Sequence, residues 1–193
     1  DVRPTALLLT IVAANYSTWI FNRRSLIDWS KLKPLLVASL PAAFIGGFIV
    51  LDEHVYKIVT GLLLLSAAII LVCHRSRDGE LDRQTPLWGT VTAGALVGFV
   101  SGLTGVGGGV FLAPILISLD WASPKQTAVL SAPFILANSV VGLTGAMVIG
   151  QMASPETWVY AIAALAGAMI GTTVGLRWLS QTVTRYVLAA ILA

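Results

Sequence analysis

The chain has 193 residues, of which 56% are hydrophobic and only 11% charged, and its mean hydropathy is +0.86, whereas soluble domains average about 25% charged residues. That balance excludes a soluble globular core and makes lipid the solvent. The net charge of +3 does not mark a nucleic-acid binder: Lys and Arg sit in short connections between apolar runs, without basic stripes or interleaved aromatics, which is charge that orients a membrane protein.

In chain order, the first charge-free run is Pro4 to Asn22, close to the ~20 residues a helix needs to cross hydrocarbon. Arg23, Arg24, Lys31 and Lys33 follow it, so this connection is expected to be cytoplasmic. A second run, Pro34 to Leu51, ends at Asp52, Glu53 and His54, an acidic connection expected outside. Ile58 to Cys73 is the shortest and weakest run. Cys73 is the sole cysteine, so it forms no internal disulfide and reads as packing. From His74 to Leu87 the chain carries Arg75, Arg77 and Arg83 with Asp78, Glu80 and Asp82 between them, the pattern of a solvated cytoplasmic linker.

Gln84 to Leu119 is charge-free, too long for one crossing of a ~30 Å core and too short for two crossings and a turn, which need about 45 residues. Its glycines, Gly105 and Gly107 to Gly109, lie in the middle. The pattern predicts a re-entrant hairpin near 94–119 that breaks at the glycines and returns to the side it left; irregular backbone at that depth requires surrounding protein or a water-filled cavity. Two later runs, Gln126 to Pro155 and Thr157 to Leu176, are each expected to cross once. A returning hairpin leaves only Arg3 and Lys57 outside and the other Lys and Arg residues inside, whereas a single crossing would scatter Lys125, Arg177 and Arg185 to the outer face. The charge rule favours the hairpin. Trp19, Trp29, Trp88, Trp121, Trp158 and Trp178 lie near segment ends, as interfacial anchors do.

The start of the chain resembles its own second half. Arg3, Pro4, Thr5, Ala6 and Leu7 read against Lys125, Gln126, Thr127, Ala128 and Val129; Trp29 answers Trp158; and Pro41, Ala42, Ala43, Ile45 and Gly46 answer Ala166, Gly167, Ala168, Ile170 and Gly171. The two copies run in opposite directions through the membrane in the topology above, so the expected architecture is all-α and polytopic with inverted structural repeats. The division expected is 1–73 as the C-terminal part of a first repeat, 74–87 as linker and 88–193 as a second repeat. Such repeats, joined to broken helices, characterise many secondary transporters, with the substrate near the midplane. The repeat also predicts a first hairpin preceding Asp1 in the complete protein.

No hydrolytic, redox or metal-binding constellation stands out, so neither an enzyme nor a cofactor is expected. His54 and His74 lie far apart at segment ends, and the acids cluster in connections. What remains is backbone chemistry in Ser101 to Pro114, with Thr104, Gly105, Gly107, Gly108 and Gly109 at its centre. Glycine lets successive N–H groups converge, and a helix starting just after adds its positive end, together forming an anion nest. The alternative is close packing, the role assigned to Gly167 and Gly171. Ser131, Asn138 and Ser139 lie in the next run, where Ser131, Asn138 and Gly142 share roughly one face. That face suits either a cavity lining or helix-to-helix hydrogen bonds.

The GVGGG core with its downstream Pro114, followed by Ala128 to Asn138, resembles the sulfite exporter family TauE/SafE, and the connection Arg23, Arg24, Ile27, Asp28 and Trp29 resembles the end of that family's first repeat. The resemblance implies a multi-pass permease of the inner (plasma) membrane, exporting sulfite, an organosulfonate or a similar small anion by alternating access. The lipid bilayer and the anion would be its partners, with oligomeric state open. A channel-like anion uniporter, a non-transporting scaffold subunit and a membrane enzyme with its catalytic group elsewhere are the competing classes. An exposed small-residue face without an internal cavity would favour the scaffold.

Overall fold

The computed structural model describes residues 2–49, 52–73, 86–104, 107–152, 157–177 and 183. The described residues form seven helices and no strand: α1 (Val2–Arg23), α2 (Trp29–Phe48), α3 (Glu53–Cys73), α4 (Leu87–Thr104), α5 (Gly109–Ser118), α6 (Pro124–Val148) and α7 (Thr157–Arg177). Among them, α1, α2, α4, α6 and α7 are long and apolar enough to cross a membrane. α5 has 10 residues, about 15 Å at helical rise, half a bilayer core.

Helix starts follow local chemistry. The Asp28 carboxylate accepts from the N–H groups of Ser30 at 3.0 Å and Lys31 at 3.4 Å, satisfying orphan donors of α2 and placing negative charge at its positive end. α6 opens with a capping box: the Gln126 N–H donates to Ser123 Oγ at 3.3 Å, and the Ser123 N–H donates to Gln126 Oε1 at 3.1 Å.

The tightest packing joins α2 to α4. Side chains added at Gly94, Gly98 and Gly102 would run into the backbone of Leu35, Ser39 and Ala43 respectively. A glycine every fourth residue lets two helices touch backbone to backbone, the close approach that holds helices together where lipid removes the hydrophobic drive. On the other side of α2, Gly47 meets Gly145 of α6: a Cβ on Gly47 would lie 3.2 Å from Gly145 Cα. The buried apolar core lies between these helices and α5, around Leu32, Leu35, Val97, Leu112, Leu116 and Phe134.

α4 and α5 fold back on each other. At the inner end a Cβ on Gly108 would lie 2.8 Å from Ser101 Cβ; at the outer end one on Gly89 would lie 3.0 Å from Trp121 Cη2. The entry and exit of this pair therefore sit together. From Gly89 to Ser101 is about 18 Å of helix, shorter than a ~30 Å hydrocarbon core. α5 is enclosed by α3, α4 and α6, with Phe111, Leu112, Ala113, Leu116 and Ile117 buried. Trp88 and Trp158 are 74% and 81% exposed at the starts of α4 and α7, which suits interfacial anchoring; Trp178 lies outside the described residues, as do residues 74–85 of the expected linker.

Gly167 and Gly171 correct the packing role assigned to them. A Cβ on either would meet nothing within 4 Å, because α7 packs chiefly along α1 and leaves most of its surface exposed.

Candidate functional site

Gly107 and Gly108 adopt φ values of 81° and 72°, a left-handed backbone that residues with a Cβ occupy at a cost. Gly108 then serves as the N-cap of α5 without any side-chain cap. Gly105 lies outside the described residues. The carbonyl of Gly107 accepts from the Gly109 N–H at 2.9 Å, and that of Gly108 accepts from the Phe111 and Leu112 N–H groups at 3.1 and 3.0 Å. The Gly109 amide is thus used inside the turn; what the turn offers outward is the positive end of α5.

Hydroxyl groups surround the glycines. A Cβ on Gly107 would lie 2.9 Å from Ser139 Oγ, one on Gly108 2.9 Å from Ser101 Oγ, and one on Gly109 3.3 Å from Ser131 Cβ. Ser101, Ser131 and Ser139 are all at least nine-tenths buried, and their Oγ atoms have no hydrogen-bond partner. An unsatisfied buried hydroxyl costs about 1–3 kcal/mol, and three of them gather around this one turn. Substituting Gly107 or Gly108 would disturb both backbone and packing, which makes these hydroxyls the better probes of function.

Beside the turn lies a cavity of about 490 Å³ between α1, α5, α6 and α7. Gly109 and Val110 bring the N-terminus of α5 to it; α6 contributes Ser131 and, near its own start, Lys125; α1 and α7 contribute Thr10, Ser17, Gly171 and Thr172. Ser17 Oγ and Thr172 Oγ1 are hydrogen-bonded at 2.9 Å across the α1–α7 wall. Alanines form most of the remaining lining, and no carboxylate lines it among the described residues.

The site residues expected from the sequence divide in three. Gly109 and Ser131 line the cavity. Gly107 and Gly108 form the turn beside it, and Ser139 of α6 packs against that turn. Thr104 and Asn138 do not reach it: Thr104 Oγ1 donates to the Val100 carbonyl at 2.8 Å within α4, and Asn138 Nδ2 donates to Ser39 Oγ at 3.0 Å and to the Phe134 carbonyl at 2.9 Å. Asn138 therefore pins α6 to α2, an interaction worth ~0.6 kcal/mol on average in lipid. Thr10, Ser17, Thr172 and Lys125 line the cavity without having been expected there, and Ser101, the first residue of the expected stretch, packs against the turn.

A bundle of apolar spanning helices around a cavity, with a short buried helix aimed into it, defines a multi-pass membrane protein of the transporter class. The chain belongs to the family of the sulfite exporter TauE/SafE, whose model matches residues 1–193. It is 36% identical over 198 residues to the probable membrane transporter protein y4hK of Sinorhizobium fredii, covering 99% of this chain and 79% of that one. The probable membrane transporter protein MJ0441 of Methanocaldococcus jannaschii is 27% identical over 82% of this chain and 58% of its own length. YunE of Bacillus subtilis, of the same description, is 24% identical over 91% and 72%. No solved structure matches the chain at a significant level.

Proposed function

We propose that this protein is a secondary permease that exports a small anion, sulfite or an organosulfonate, across the inner membrane by alternating access, the anion passing through the cavity at the N-terminus of α5. The observation that carries this reading is that the positive end of α5 and Ser131 line one cavity, with the unpartnered Ser131 hydroxyl buried just behind its wall. Partial charges from oriented peptides are strong in a low-dielectric cavity, yet bind an ion less tightly than a buried Lys or Arg would. Weak binding suits turnover.

The packing of helices supports the inverted repeat. If α1 and α2 correspond to α6 and α7, a two-fold axis makes the α1–α7 and α2–α6 contacts equivalent, so that one implies the other; both exist, and α1 also touches its counterpart α6. In this reading residues 1–73 belong to a first repeat and 88–193 form the second, joined by the linker 74–87, and α4–α5 is a re-entrant hairpin. The cavity then lies at the repeat interface, where inverted-repeat transporters hold substrate.

Topology offers one check. A cysteine at Ser123 in the complete protein should react with a membrane-impermeant maleimide only from the cytoplasmic side; labelling from outside on intact cells would remove the hairpin and the repeat with it. Transport itself is tested by proteoliposomes of the complete protein loaded with radiolabelled sulfite. The expected result is saturable efflux that ethanesulfonate inhibits. Flux rising linearly with concentration would indicate a channel-like uniporter, and no flux above empty vesicles for either anion would refute the permease.

A further inference from the structure

We propose that Lys125 is the residue that captures the anion at the mouth of the cavity and sets apparent affinity on its own face of the membrane, an inference that rests on the permease reading above. Lys125 is exposed yet lines the cavity, and it is the one charged residue among the described lining residues.

Helix stability gives no reason for a cation there. Lys125 stands in the first turn of a 25-residue helix, where the macrodipole is positive and a cation is unfavourable by about 0.3–1 kcal/mol. The Ser123–Gln126 capping box already satisfies this end. The charge and the helix end instead add, giving the mouth a positive potential. Six residues further along α6, about 9 Å deeper, Ser131 lines the cavity, with its unpartnered hydroxyl buried just behind the wall. An anion drawn to Lys125 thus has a polar group and then the N-terminus of α5 ahead of it.

An ammonium on a flexible stem in contact with water attracts through a screened field. It raises local anion concentration without trapping the ion, and the alanine-rich wall beyond favours a small monoanion that sheds water readily over a strongly hydrated dianion.

The test is ethanesulfonate flux in oriented proteoliposomes of the complete protein, measured from each face. Lys125→Gln should raise KM about 5-fold on the Lys125 face, leave kcat unchanged and leave KM on the opposite face unchanged. Lys125→Arg should restore the wild-type KM. Wild-type KM on that face should rise with ionic strength, and the Gln variant should lose this dependence. An unchanged KM in Lys125→Gln, or an equal rise on both faces, overturns the role of Lys125 while wild-type flux keeps the permease reading intact. Absence of saturable wild-type flux overturns the permease reading and the inference together.

Discussion

Gly98→Leu is expected to destabilise the complete protein strongly. A Cβ at this position would lie 2.6 Å from Ser39 Cα and 2.7 Å from Ser39 Cβ, and closer still to the Ser39 carbonyl oxygen. The obstruction is mostly backbone, so a rotamer change in a neighbour cannot relieve it. Leu favours a helix over Gly by about 0.8 kcal/mol, but overpacking costs about 1–3 kcal/mol even where side chains can shift. Here the two helices must separate, which also disturbs the Asn138–Ser39 hydrogen bond, because Ser39 is the residue that Gly98 abuts. At about 3 kcal/mol the thermal midpoint in detergent should fall by roughly 6–12 °C, with most of the protein lost as aggregate during purification. Gly61→Leu is the matched control, because a Cβ on Gly61 meets nothing within 4 Å; its midpoint should stay within about 2 °C of the wild type. A Gly98→Leu protein as stable as Gly61→Leu would mean that the α2–α4 contact does not hold the fold together.

That contact was only partly legible in the sequence. The membrane class follows from composition because hydrocarbon admits so few charges, and the break between α4 and α5 was visible because glycines interrupt a charge-free run of the wrong length. Which glycines pack was not visible. Gly98 is pressed against a neighbouring backbone while Gly171 lies open, yet each sits in an apolar helix four residues after another glycine. Helical periodicity tells which residues share a face and not which neighbour that face meets. The same limit accounts for Asn138: it lies only about 20° around the helix from Ser131 but about 10 Å further along it, where the neighbour is Ser39 of α2 and no longer the cavity.

The α1 and α7 walls were harder to read for a different reason. Hydroxyl residues in apolar helices commonly bond their own backbone, as Thr10 Oγ1 does to the Ala6 carbonyl at 2.7 Å, so Thr10 and Thr172 carry no sequence signal that separates a cavity lining from a self-satisfied side chain. Lys125 reads in the sequence as charge that orients the membrane protein, and nothing in a single sequence tells such a lysine from one facing a cavity. The glycine turn itself was legible as unusual, since three consecutive glycines exceed what helix packing needs, but the ring of Ser101, Ser131 and Ser139 around it is a tertiary fact.

The central claim is that the anion passes beside Ser131, and alkylation of a cysteine at that position tests it most directly. Ser131→Cys changes one atom, at a buried hydroxyl that has no partner to lose. Placed in a complete protein whose native cysteines, Cys73 included, are replaced, it should keep the fold and most of the ethanesulfonate flux. N-Ethylmaleimide added to proteoliposomes should then enter the cavity, alkylate the new thiol and lower flux at least 10-fold, because the adduct fills a large part of a space of about 490 Å³. Saturating ethanesulfonate should slow the alkylation several-fold by occupying the same space. The cysteine-free parent should be insensitive to the reagent. If the thiol introduced by Ser131→Cys is alkylated to completion and flux continues at the parental rate, or if ethanesulfonate gives no protection at concentrations that saturate transport, the anion travels elsewhere and the cavity beside α5 is not its path.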